Sequence, residues 1–187
     1  MSRRECVGDR SVGVVARASL ALIVAVTGAL TFGVAGATGV ASAAVTAPAC
    51  RSAQLRVSLG RPNGTAGTTY YAIVFTNRGA RCALWGVPGV RPVGVGRRTV
   101  GPPARNESVG RMAVRHVVGK GQSVSAAFGV ADTGNYPPSR CAARAVRGVE
   151  ISLAGFVPAT FRALRTTVCT RLASTSTQLL VAGSTGV

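Results

Sequence analysis

Histidine, carboxylate and lysine are nearly missing from this chain of 187 residues, which carries one His and five Asp plus Glu against 22 Lys plus Arg. Most enzymatic proton transfer and metal chemistry draws on the scarce types. Any Ser-His-Asp or Cys-His arrangement would have to use His116, which stands in "VRHVV" beside Arg115 with no carboxylate near it in sequence to orient it. Beyond residue 43 the carboxylates are Glu107, Asp132 and Glu150, far apart in the chain. Two of them could share glycosidase chemistry only if the fold brought them within roughly 5 to 9 Å. The expected histidine is therefore a surface or half-buried strand residue, and nothing local in the sequence brings two of the carboxylates together.

Other absences narrow the choice further. Cys50, Cys82, Cys141 and Cys169 include no pair at zinc-ligand spacing. "VGKGQS" has the Gly-Lys of a phosphate loop, but Val114 occupies the place of its first glycine and Gly121 replaces the Ser or Thr after Lys120. A turn into a strand is expected there. Aromatics make up 5% of the chain. A reader of single-stranded nucleic acid interleaves arginines with stacking rings, and past residue 43 Arg97 and Arg98 are the only adjacent arginine pair. No specific nucleic-acid partner, metal or cofactor is expected.

What is present begins at the amino terminus. Arg3, Arg4, Arg10 and Arg17 precede an uncharged stretch over residues 18–40, which closes on "GVASAAVTAPAC". A basic region, an apolar region and small residues at Ala41 and Ala43 predict a signal peptide, a helical leader over residues 1–43 cleaved after Ala43. The apolar run, at about 20 residues, is also long enough for an uncleaved membrane anchor, a reading weakened by Gly28, Gly33, Gly36 and Gly39. A lipoprotein signal fits poorly, because Ala47 and Pro48 stand before Cys50. The expected destination is the cell envelope or the medium.

Residues 44–187 number 187 − 43 = 144, enough for one domain. They keep 22 − 4 = 18 basic and 5 − 2 = 3 acidic residues, a net charge of 18 − 3 = +15, and every basic residue except Lys120 is arginine. Arginine over lysine, with abundant Ala, Gly and Val, is what a GC-rich bacterial genome imposes. Whatever its origin, the charge draws the protein toward anionic polymers or lipid head groups, weakly and with strong salt dependence. Four cysteines in an exported chain predict two disulfides. Of the three pairings, Cys50–Cys82 and Cys141–Cys169 are expected, each closing a loop of about 30 residues worth roughly 3 to 4 kcal/mol in the loop-entropy model.

The domain reads as short strands between turns. "AQLRVSLG" (53–60) alternates, "RPNGTAG" (61–67) is a loop, and "TTYYAIVFTN" (68–77) is rich in aromatic and β-branched residues. "NRGA" then turns into "RCALW" (81–85). In 68–77, Tyr70, Ala72, Val74 and Thr76 fall on one face and Tyr71, Ile73 and Phe75 on the other, both largely apolar, as in a central strand. Strands are also expected at 89–95, 118–130, 145–153, 161–169 and 176–183, with a long turn at 132–140. "GPPARNESVGRMAVR" (101–115) is compatible with an exposed loop. No segment sustains a helical period, and the spacing predicts an all-β sandwich.

"YYAIVFTNRGARCALWGVPGV", followed by "VGPPAR", "GKGQSVSAAF", "NYPPSRC" and a Cys at "TTVC", resembles the actinobacterial secreted family known as domain of unknown function 4232. The motif positions are Tyr70, Tyr71, Val74 to Asn77, Cys82, Leu84, Gly86, Pro88 to Val90 and Cys141. Trp85 and the insertion-like "NESVGRMAVRHVV" depart from the pattern. The resemblance implies an immunoglobulin-like antiparallel β-sandwich in the cell envelope and no known activity. Trp85, Tyr70 and Tyr71 could stack on sugars if exposed, but a core place beside the Cys82 disulfide is expected. The expected protein is a monomeric, non-catalytic structural or binding module. Its rival is an envelope hydrolase using His116 with distant carboxylates.

Overall fold

Strands account for nearly all the regular structure in residues 46–185, which the computed structural model describes; the leader expected over residues 1–43 lies outside them. In chain order they are β1 (Leu55–Leu59), β2 (Asn63–Thr65), β3 (Thr68–Asn77), β4 (Cys82–Leu84), β5 (Gly89–Val93) and β6 (Arg105–Asn106). Then follow β7 (His116–Val118), β8 (Ser123–Ala131), β9 (Ala143–Leu153), β10 (Val157–Cys169), β11 (Thr175–Thr177) and β12 (Val181–Ala182). One helical turn, α1 (Pro138–Cys141), sits in the Pro-rich segment before β9. The described part of the chain is all-β.

β3 is central, as its two apolar faces require. It pairs antiparallel with β1 on one side and with β8 on the other, in a sheet ordered β1-β3-β8-β11-β6. Its inner face carries Ile73 and Phe75, both fully buried, with Tyr71 half-buried above them. Tyr71 lies directly across from Phe128 of β8, their ring centroids 6.2 Å apart. Removing rings of this size from water stabilises by about 1.5 to 3 kcal/mol each. On the outer face Thr76 and Ser123, also cross-strand partners, share a hydroxyl hydrogen bond of 2.8 Å.

The turn after β3 does not close a hairpin. Asn77 caps it, and β4 joins a separate two-stranded sheet with β7, while β10-β9-β5 form a third. The three sheets turn their apolar faces to one core containing Phe75 and Phe128, Leu84 and Val118, and Val149 and Ile151.

Two local readings change. Residues 61–67 are not only a loop, since β2 pairs back onto the start of β3. The segment 176–183 is not one strand: β11 and β12 both pair with β8, but between them Leu180 N–H donates to Gly86 O and Leu179 N–H to Ser108 Oγ. Those long-range bonds pull the backbone off the ladder. β6 runs parallel to β11, so the pairing is largely rather than wholly antiparallel.

Candidate functional site

The disulfides fasten the two ends of the fold. Cys50 bonds Cys82 at the start of β4, and the backbone nearby is stitched by Cys50 N–H to Ala83 O and Ala83 N–H to Pro48 O. Cys141, at the end of α1, bonds Cys169, the last residue of β10. Both pairs are the sequential ones. Four buried sulfurs held this way fit an oxidising, extracytoplasmic environment, and no helix among the described residues is long and apolar enough to cross a membrane.

His116 opens β7 and is half-buried, on the wall of a cavity of about 450 Å³ between β7, the start of β8 and β12. Its Nε2 lies 2.9 Å from Leu180 O. A carbonyl oxygen only accepts, so Nε2 is the protonated nitrogen. Arg115, Gln122 and Ser123 are the other polar side chains on the wall, and none of the three carboxylates lines it.

Those carboxylates have separate surroundings. Glu107 is exposed after β6, with Oε2 3.4 Å from Gln178 Nε2. Asp132 accepts from Gly134 N–H at 2.9 Å and so starts the short turn after β8. Glu150, half-buried on β9, lies between Arg91 on β5 and Phe161 on β10. Arg91 and Glu150 are thus cross-strand neighbours, an ordinary placement of opposite charges in a sheet. Among the described residues no group of three His, Cys, Asp or Glu is placed to hold a metal ion.

Trp85 is neither fully buried nor an open platform. Phe156 meets its ring edge-on, with centroids 4.6 Å apart and planes at 83°, and the Arg115 guanidinium lies 4.3 Å from the ring centroid. Tyr70 is half-buried too, its ring against Gly129. The faces a sugar would stack on are thus partly taken by protein.

Among the described residues every basic side chain is exposed except Arg162, which is half-buried. It reaches from β10 to β1, its Nε donating to Val57 O at 2.7 Å. Arg115 donates to Ala47 O and Arg171 to Ser139 O, both at 2.6 Å, and Arg97 lies 5.0 Å from the Phe161 ring centroid. The surface these arginines make is strongly basic, since among the described residues only Glu107, Asp132 and Glu150 oppose it.

An all-β domain with two disulfides and a cationic exterior belongs to a broad class. The sequence model described as domain of unknown function (DUF4232) matches residues 50–182, so the chain is a member of that family. No curated protein and no solved structure matches it.

Proposed function

We propose that this protein is an exported, immunoglobulin-like β-sandwich of an actinobacterial cell envelope, a non-catalytic binding or structural module whose arginine-rich surface associates with anionic envelope components. The observation that carries this reading is charge placement: every basic side chain from Arg51 to Arg171 except Arg162 is exposed. Charges spread in this way attract any polyanion without a shaped pocket. His116 and the three carboxylates, each in its own surroundings, support the absence of a catalytic centre.

Binding to soluble polyphosphate at low and high salt tests the reading. Association should be weak, and mostly lost near about 0.5 M salt, where the screening length falls to roughly 4 Å. Replacing Arg97 and Arg98 together by alanine should lower it only modestly, since two charges of 18 are removed. No association at low salt would sink the proposal. Export is tested separately: the intact mass of protein recovered outside the cell should lack residues 1–43, and a chain still starting at Met1 and held in membrane would contradict cleavage.

A further inference from the structure

Four of the six large apolar side chains left exposed among the described residues lie within one short segment: Val109 at 81%, Met112 at 91%, Val114 at 63% and Val117 at 44%. Single exposed apolar residues are ordinary, whereas a cluster on one loop marks a contact surface.

The local backbone holds this cluster outward. Asn106 Oδ1 accepts from Ser108 N–H at 2.8 Å, and Arg111 N–H then donates to Ser108 O at 3.0 Å, closing a tight turn. Gly110 sits at φ 81°, the left-handed position that such a turn assigns to glycine, and Val109 is thrown to its corner. Both ends are fixed. Glu107 N–H bonds Thr177 O, Leu179 N–H bonds Ser108 Oγ, and Arg115 is pinned between Ala47 O and Trp85. These bonds anchor the segment on either side of Val109, Met112 and Val114.

Its surroundings are cationic. Arg105, Arg111, Arg115 and Lys120 against Glu107 give 4 − 1 = +3 over 16 residues. A soluble polyanion would satisfy those charges but gain nothing from Val109, Met112 and Val114. An anionic bilayer would satisfy both, through head groups and the apolar layer beneath them.

We propose that residues 105–117 form a membrane-docking loop, with Val109, Met112 and Val114 entering the interface of an anionic bilayer while the flanking arginines engage its head groups. The proposal rests on the charge-driven association above and gives it a location and a lipid partner.

Sedimentation with phosphatidylcholine vesicles containing about one-third phosphatidylglycerol tests it, beside polyphosphate as the purely ionic probe. The unaltered protein should stay on the vesicles at about 0.5 M salt and leave polyphosphate. Val109→Ser, Met112→Ser and Val114→Ser together keep every charge, and should cut high-salt vesicle binding roughly tenfold or more while leaving low-salt polyphosphate binding within about twofold. Unchanged Trp85 emission and melting temperature would show that the variant is folded. A Met112→Cys protein carrying an environment-sensitive dye should brighten and shift to the blue on vesicles alone. Equal vesicle binding by the triple variant, or a dye that stays in water, would overturn the docking loop and leave the ionic association standing. A matching loss of polyphosphate binding in the triple variant would overturn the lipid assignment. Absence of binding to either probe at low salt would remove both proposals.

Discussion

The Arg115 guanidinium covers the Trp85 ring at 4.3 Å while its Nη2 donates to Ala47 O. One side chain thus joins the end of the exposed loop, the start of the described chain and the rim of the core.

Arg115→Ala should destabilise the fold by about 1 to 2 kcal/mol, combining a cation–π contact with a charge-assisted hydrogen bond. Since Trp85 is the only tryptophan, its emission should shift to the red as water replaces the guanidinium. Arg115→Lys should recover part of the stability. Urea unfolding and fluorescence read both, and an unchanged spectrum would mean that the ring is not covered in solution.

Asn77 is fully buried where the chain passes from β3 toward β4. Its Nδ2 donates to Ala80 O at 2.9 Å and Val118 O at 3.0 Å, and its Oδ1 accepts from Gly79 N–H at 2.9 Å. Asn77→Ala should cost about 3 kcal/mol by stranding those groups. Asn77→Asp keeps the acceptor but faces two carbonyls with a carboxylate, so it should cost at least as much. If the aspartate variant were as stable as the native protein in chemical denaturation, this network would not be what holds the turn.

Peptide mapping without reduction should recover Cys50 joined to Cys82 and Cys141 joined to Cys169, across separations of 32 and 28 residues. Removing either pair by double alanine substitution should lower stability by roughly 3 to 4 kcal/mol in the loop-entropy model. Crossed peptides or free thiols would contradict the fold.

A Cβ placed on Gly148 would run into the Phe161 ring and the Arg162 carbonyl oxygen. Gly148→Ala should therefore destabilise by about 1 to 3 kcal/mol and dislodge Arg97 from the ring. Phe161→Ala in the same chain should relieve only part of this, because the carbonyl remains. Full recovery in the double variant would assign the whole clash to the ring.

The limits of β3 were readable to the residue in 68–77, because a β-branched, aromatic run ends there in an Asn-Arg-Gly turn. The cysteine pairs were readable from loop length, and the motifs of 70–90 and 119–141 from family resemblance. The separation of β3 and β4 into different sheets was not, since it depends on Val118 O receiving Asn77 from 41 residues away. The split between β11 and β12 has the same cause in Gly86 O and Ser108 Oγ. In the loop, the sequence marks "NESVGRMAVRHVV" as unusual and leaves 101–115 ambiguous, compatible with an exposed loop. It could not say that Val109, Met112 and Val114 stay uncovered, because exposure depends on what other segments fail to reach them. Trp85 was expected inside; Arg115, distant in sequence, supplies its outer cover.

The two disulfides also decide how the protein breaks. Cys141–Cys169 closes a covalent ring around the β9–β10 hairpin, whose tip exposes Ala154 and Gly155. A protease cut at that tip leaves both products bonded, and a cut in residues 61–67 is likewise held by Cys50–Cys82. The arginine-bearing loop lies outside both rings. Trypsin acting at Arg111 would therefore leave two halves with no covalent bond between them, each keeping one cystine, while the same enzyme inside either ring would yield a nicked chain that separates only on reduction.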